Sequence, residues 1–212
     1  MSTTYLYLHG FASGPQSFKA QALRSRFQTL GLTLQIPDLN QDDFSQLTLS
    51  RQIQQVSPLI HQPTVLIGSS FGGLTACWLA EQPAVRTQLQ RLILLAPAFD
   101  FLAQWLPRLG PAALEQWRDR GWLSVYHYAQ QRQQRLDYRF LLDAQQYPDA
   151  QLQTPVPTLI LHGTEDETIA IEASQAYASR RPWVKLQPLA TDHAMTEAAD
   201  DIWQAIRSFC AL

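Results

Sequence analysis

Residues 65–73 read VLIGSSFGG. An aliphatic run stops at a glycine, two serines, a phenylalanine and two more glycines, and the stretch Leu74–Glu81 that follows has the character of a helix. A chain that only has to end a strand needs one turn residue. Gly68 and Gly72, placed on either side of Ser70, point instead to a crowded backbone with a strained central residue. Gly68-x-Ser70-x-Gly72 matches G-x-S-x-G, the turn that joins a strand directly to a helix and lifts the middle hydroxyl out of the chain. Ser70 would then stand at a helix start, where N–H groups and the helix dipole favour developing negative charge. Ser69 need only be small.

The remaining chain has the context this turn requires. Short apolar stretches lie at 4–8 (TYLYL), 32–38 (LTLQIPD), 64–68 (TVLIG), 91–97 (RLILLAP), 157–163 (PTLILHG) and 184–189 (VKLQPL). They alternate with stretches of helical character at 15–31, about 45–62, 74–81, 169–180 and 195–209, the first of them stopped by Gly31. Strands so short and aliphatic have no face to offer to water, so they predict a mainly parallel sheet of about six strands with helices on both faces. A length of 212 residues, 46% of them hydrophobic, suits a single α/β domain over 1–212.

Residues 99–154 interrupt the alternation. They hold Trp105, Trp117, Trp122, Tyr126, Tyr128, Tyr138 and Phe140, and Leu123–Ala144 reads as helical by its periodicity. A structureless loop of that length is improbable, so a helical cap inserted between two strands is expected. Its aromatics suit either core packing or the wall of an apolar pocket.

Several function classes are excluded. The net charge is −2 with no Lys/Arg block, which removes the electrostatic case for nucleic acid. No apolar run approaches the roughly 18 residues of a membrane helix. The start, MSTTYLYLHG, lacks a basic n-region and enters a strand at once, so a signal peptide is not expected. Cys77 and Cys210 are far apart and read as reduced thiols. These features predict a cytoplasmic protein. The histidines are scattered and neither C-x-x-C nor H-E-x-x-H occurs, so no metal is expected. Without G-x-G-x-x-G or a Walker loop, no nucleotide cofactor is expected.

Ligands of α/β sheets bind beyond the carboxyl ends of the strands. The residues that follow the predicted strands there are His9-Gly10-Phe11, Asp38, Ser69-Ser70-Phe71, Asp100, His162 to Asp166, and Asp192-His193. A serine, carboxylates and a histidine therefore gather on one edge in the chain order Ser, Asp, His. Ser70 needs a base near neutral pH, and His193, after the last strand, fits best. His9 and His162 precede glycines at strand ends and read as turn-shaping. His61 falls at a helix end and His127 in the insertion. A carboxylate must hold the imidazole's tautomer, and Asp166 is favoured over Asp100 for that task. Glu165 and Glu167 read as solvated neighbours, and Asp192 as a loop-orienting group. A tetrahedral intermediate needs two N–H donors. The backbone of Phe71 is one, and Phe11, in the loop after the first strand, is the other.

From LHGF through GSSFGG and HGTEDE to DHAM, the chain resembles the α/β-hydrolases over nearly its full length. More narrowly, LHGFASGPQSFKA followed by PDL, GSSFGG and LAPA resembles the compact YqiA/YcfP-type (UPF0227-like) esterases. The resemblance implies a Ser70–Asp166–His193 triad and hydrolysis of a small-molecule carboxylic ester or thioester. The chain departs from larger relatives in lacking antiparallel strands before its first strand, and in having Met195 where many relatives place an aromatic. Ser13, Ser17 and Lys19 belong to the resembling stretch, and read as helix-capping residues and a solvated side chain. Two alternatives share this scaffold: a non-catalytic small-ligand binder, and a triad-based lyase, C–C hydrolase or haloperoxidase.

Overall fold

The computed structural model describes residues 3–212. In chain order, Thr4–Leu8 forms β1, Phe18–Thr29 α1, Leu34–Gln35 β2, Leu49–Val56 α2, Thr64–Ser69 β3, Phe71–Ala80 α3, Pro83–Arg86 α4 and Leu89–Leu95 β4. There follow Phe101–Leu109 (α5), Pro111–Arg120 (α6), Trp122–His127 (β5), Arg132–Asp137 (β6) and Arg139–Ala144 (α7). Thr158–Gly163 (β7), Ile171–Ser179 (α8), Val184–Leu189 (β8) and Ala199–Cys210 (α9) complete the chain.

Six strands pair in parallel in the order β2-β1-β3-β4-β7-β8. Alternation along each strand divides the core in two. Leu6, Leu66, Leu92, Leu94 and Ile160 pack on one face, with α2, α3 and the segment between β4 and β7. Tyr5, Tyr7, Val65, Ile67, Ile93, Leu95, Leu159 and Leu161 pack on the other, with α1 and α9. β2 is shorter than the predicted 32–38. It is an edge strand, and Pro37 has no N–H with which to extend the ladder.

The chain runs from β1 out to β2 and returns to β3 on the other side of β1, so the strand order reverses between β1 and β3. At such a reversal the two following loops diverge and leave a crevice. The β1–α1 loop and the β3–α3 turn border it. The glycines of that turn answer a steric demand. A β-carbon at Gly72 would come within 2.2 Å of the Leu8 carbonyl oxygen, and one at Gly68 within 2.4 Å of the Gly72 oxygen. α3 can therefore press directly onto β1, and all ten of its residues are buried.

Residues between β4 and β7 depart from the helical expectation. α5, α6 and α7 are present, but Trp122–Asp137 folds as an antiparallel hairpin, β5 against β6. Leu123, Val125 and His127 turn inward while Ser124 and Tyr126 face out, which is a period of two. The helical spacing read over Leu123–Ala144 is met only in α7, and the Gln and Arg residues of 130–135 form a polar run before it. Gln131 takes a left-handed φ of 52° and turns that polar run back along β5, whose backbone it pairs.

Aromatic rings bind this segment to the sheet edge. Phe11 packs on Trp105 and Phe140 at ring-centroid distances of 5.5 and 5.4 Å, and Phe71 packs on Phe101 and Phe140 at 5.1 and 5.5 Å. Such pairs are each worth about 0.5–1.5 kcal/mol beyond the area they bury. Trp117, fully buried, adds a hydrogen bond from Nε1 to the Leu136 carbonyl at 3.1 Å.

Candidate active site

Ser70 holds φ 52° and ψ −120° between β3 and α3, a conformation that L-residues avoid unless their surroundings impose it. Two sets of contacts impose it here. Ser70 N–H donates to Leu95 O at 2.9 Å, and Ser70 O accepts from Gly73, Leu74 and Ala98 N–H at 2.9, 3.2 and 3.1 Å. The side chain is partly exposed, whereas Ser69 is buried. The β1–α1 loop lies alongside: a β-carbon on Gly10 would stand 3.2 Å from Ser70 Cβ and 3.8 Å from its Oγ.

His9 orders that loop. It is buried, its Nε2 accepts from Leu39 N–H at 2.9 Å, and its Nδ1 therefore carries the proton donated to Gly10 O at 3.0 Å. Peptide bonds here are trans, so with Gly10 C=O turned to His9 the Phe11 N–H points the opposite way. The Phe11 and Phe71 rings meet at 6.2 Å, tilted by 66°, so the two expected N–H donors belong to adjoining residues in space.

Asp166 and His193 meet across the β7–α8 and β8–α9 loops, with His193 Nδ1 2.7 Å from Asp166 Oδ2. A carboxylate can only accept, so Nδ1 bears the hydrogen and Nε2 keeps its lone pair. The Asp166 side chain is wholly buried. Its Oδ1 accepts from the N–H groups of Thr168 and Ile169, both at 2.8 Å. Burial alone would raise this carboxyl. Hydrogen bonds from His162, His193 and Ile169 outweigh it and hold the group well below the usual carboxylate range. Asp166 is thus an anion with its lone pairs occupied, and it is oriented as well as charged.

The rival Asp100 is exposed at the head of α5, and its N–H donates to Asp149 Oδ2 at 2.7 Å. Asp192 braces its own loop, Oδ1 accepting from Met195 N–H at 3.0 Å. Glu165 and Glu167 are exposed. Met195 is fully buried in the core on the α1–α9 side. Lys19 departs from its expected solvated place: its Nζ donates to the His193 carbonyl at 2.9 Å, and Ser17 makes no side-chain cap bond to α1. The part His9 plays was not visible as chemistry in the sequence either. Only its place before Gly10 marked it, and the shaping of the turn expected of it is what it performs.

A family profile described as "Uncharacterised protein family (UPF0227)" matches residues 4–210. The chain belongs to this family. No protein of the curated collection matches it. Among solved structures, one from Agrobacterium vitis S4 superposes with a TM-score of 0.84 at 21% identity, covering 98% of this chain and 87% of its own. Alpha/beta hydrolase domain-containing protein 10 from mouse superposes with a TM-score of 0.79 at 23% identity, covering 98% and 88%. Est1E from Butyrivibrio proteoclasticus, solved with bound ferulic acid, superposes with a TM-score of 0.79 at 18% identity, covering 100% and 90%. This member of UPF0227 therefore has the α/β-hydrolase fold. No helix among its described residues is long and apolar enough to cross a membrane.

Proposed function

We propose that the protein is a serine hydrolase that cleaves small carboxylic esters or thioesters through an acyl-enzyme. The observation that carries the reading is the 2.7 Å bond from His193 Nδ1 to a buried, fully ligated Asp166, on the same sheet edge as a serine held at positive φ. An aspartate that only built a turn would have no need of an imidazole that keeps its second nitrogen unbonded.

In this reading Ser70 Oγ attacks the carbonyl carbon while His193 Nε2 takes the hydroxyl proton. The carbonyl oxygen becomes an oxyanion, and the Phe11 and Phe71 N–H groups receive it. As the C–O or C–S bond to the leaving group breaks, His193 returns the proton to the departing alkoxide or thiolate. Water then attacks the acyl-serine with the same base, releasing the acid and regenerating Ser70. Asp166 stays ionised throughout and stabilises the transient imidazolium. The aromatic rings around Phe11 and Phe71 favour uncharged, apolar acyl groups over acidic ones. Est1E, with ferulic acid bound, lends the ester class support, and lipolytic relatives of the same fold do so too.

The test is covalent labelling by a fluorophosphonate. Wild-type protein is expected to carry one adduct on Ser70, and Ser70→Ala none, with kcat on aryl acetates reduced at least about 10³-fold. Labelling that survives Ser70→Ala would refute the assignment. Turnover of aryl butyrates against acyl-CoA then separates esterase from thioesterase.

A further inference from the structure

We propose that Lys19 is a positioning residue for His193, its ammonium clamping the imidazole's loop to the helix that follows the loop beside Ser70. The inference rests on the serine-hydrolase reading above and adds to it a residue far from all three reacting groups in the chain. Its basis is the bond from Lys19 Nζ to His193 O, 2.9 Å long and spanning 174 positions.

Nothing in the helix itself calls for a cation at this position. Lys19 is the second residue of α1, where the macrodipole repels positive charge, and no acid of the first turn offsets it. Burying an ammonium is unfavourable unless it finds partners. Burial pushes Lys19 down to about 8 even though the carboxylates of Asp166 and Asp192 pull it up. The chain otherwise relies on arginine: of its 16 basic residues only Lys19 and Lys185 are lysines. A guanidinium has a planar fork that asks for several acceptors, whereas an ammonium suits a single carbonyl.

The clamp has a fixed base. Ala20, Leu23 and Phe27 of α1 are buried against the sheet, with Phe27 packed on Tyr5 at 4.9 Å and on Trp203 at 5.3 Å. β1, on which Phe27 packs, pairs with β3 as far as Leu8 opposite Gly68, two residues before Ser70. His193, by contrast, sits in an irregular loop, and among the described residues its ring has a hydrogen-bond partner at Nδ1 alone. A ring held at one nitrogen can swing about that bond, moving Nε2 on an arc. A second anchor at the carbonyl of the same residue fixes the backbone from which the ring hangs and so narrows that arc. It sets the direction of Nε2 relative to the frame that carries the serine.

The experiment measures the rate of fluorophosphonate labelling at Ser70, with kcat and KM on an aryl acetate, for wild type, Lys19→Gln and Lys19→Arg. A misplacement of the base by about 1 Å is expected to lower labelling and kcat in Lys19→Gln about 10²-fold, with KM little changed. Lys19→Arg keeps donor and charge and is expected to recover about tenfold of that loss. Lys19→Gln labelling within about threefold of wild type, a loss carried by KM alone, or an arginine variant no better than the glutamine one would overturn the proposal. A second measurement needs no variant. Protein labelled with ¹⁵N-lysine gives two ammonium signals, and that of Lys19 is expected to shift when Ser70 is phosphonylated; an unmoved signal also overturns the clamp. Wild-type protein that takes no probe at Ser70 removes the serine-hydrolase reading and this inference together. A labelled wild type beside an unimpaired Lys19→Gln removes the inference alone.

Discussion

His162 and His193 both reach Oδ2 of Asp166, at 3.2 and 2.7 Å. His162 is wholly buried at the end of β7, and both its nitrogens are engaged: Nε2 also faces Ile169 O at 3.0 Å, and Nδ1 meets Ser174 Oγ at 2.8 Å. His193 lies on a loop, its side chain 25% exposed, with one nitrogen engaged and the other without a hydrogen-bond partner among the described residues. A carboxylate partner is common to both rings, so it does not by itself make a base. What distinguishes them is a free lone pair that solvent or substrate can reach. His162 is a strut for the turn that presents Asp166, and in the proposed mechanism His193 is the group the turn serves.

The largest expected effect separates the two rings. His193→Ala is expected to lower kcat by at least about 10⁴-fold with the fold intact, as single-turnover kinetics and circular dichroism would report. A smaller loss would mean that another base reaches Ser70. Asp166→Asn is expected to cost about 10³–10⁴-fold in kcat, because the amide can donate to Nδ1 and so favour the wrong tautomer. The same substitution tests linkage. The Asp166 carboxyl lies below its unfolded value, so its contribution to stability is present above the ordinary carboxylate range and is lost as pH falls below about 4. Acid melts of Asp166→Asn should lack that limb.

His162→Gln should do the reverse. It leaves Ser174 Oγ and Ile169 O short of partners and should destabilise by about 1–3 kcal/mol in urea melts, while kcat stays within about tenfold of wild type. Comparable kcat losses at 162 and 193 would erase the distinction between strut and base. The smallest effect lies at Asp149, in the segment between β4 and β7. Burial pushes its carboxyl up to about 6, against the hydrogen bond from Asp100 N–H. A raised carboxyl stabilises the fold while protonated, so wild-type stability should decline as pH rises from about 4 to 6. Asp149→Asn, which still accepts from Asp100, should flatten that decline in melting temperature.

Much of this was legible in the sequence because it is local. Tyr5-Leu6-Tyr7-Leu8 and Leu92-Ile93-Leu94-Leu95 alternate between two buried faces, and a run without a polar residue has nowhere to go but the middle of a covered sheet. Gly68 and Gly72 flank Ser70 because two backbones meet there. Lys19 was misjudged because its partner is a carbonyl 174 positions away, and a carbonyl has no residue identity to read. The hairpin of 122–137 was misjudged because its second strand, Arg132–Asp137, is polar and earns its strand state only by pairing with Trp122–His127.

By itself the sequence pointed to the residues on which the proposed chemistry rests and to the order of the six parallel strands, though not to the hairpin of 122–137, since periodicity and glycine sterics act over a few residues. Tertiary structure alone decided which of two histidines keeps a lone pair open, that Asp100 stands apart at the head of α5, and where the ammonium of Lys19 ends. Those outcomes depend on hydrogen bonds between groups brought together by closing long loops, and the energy of such a bond depends on the distance and angle reached in space rather than on the spacing along the chain.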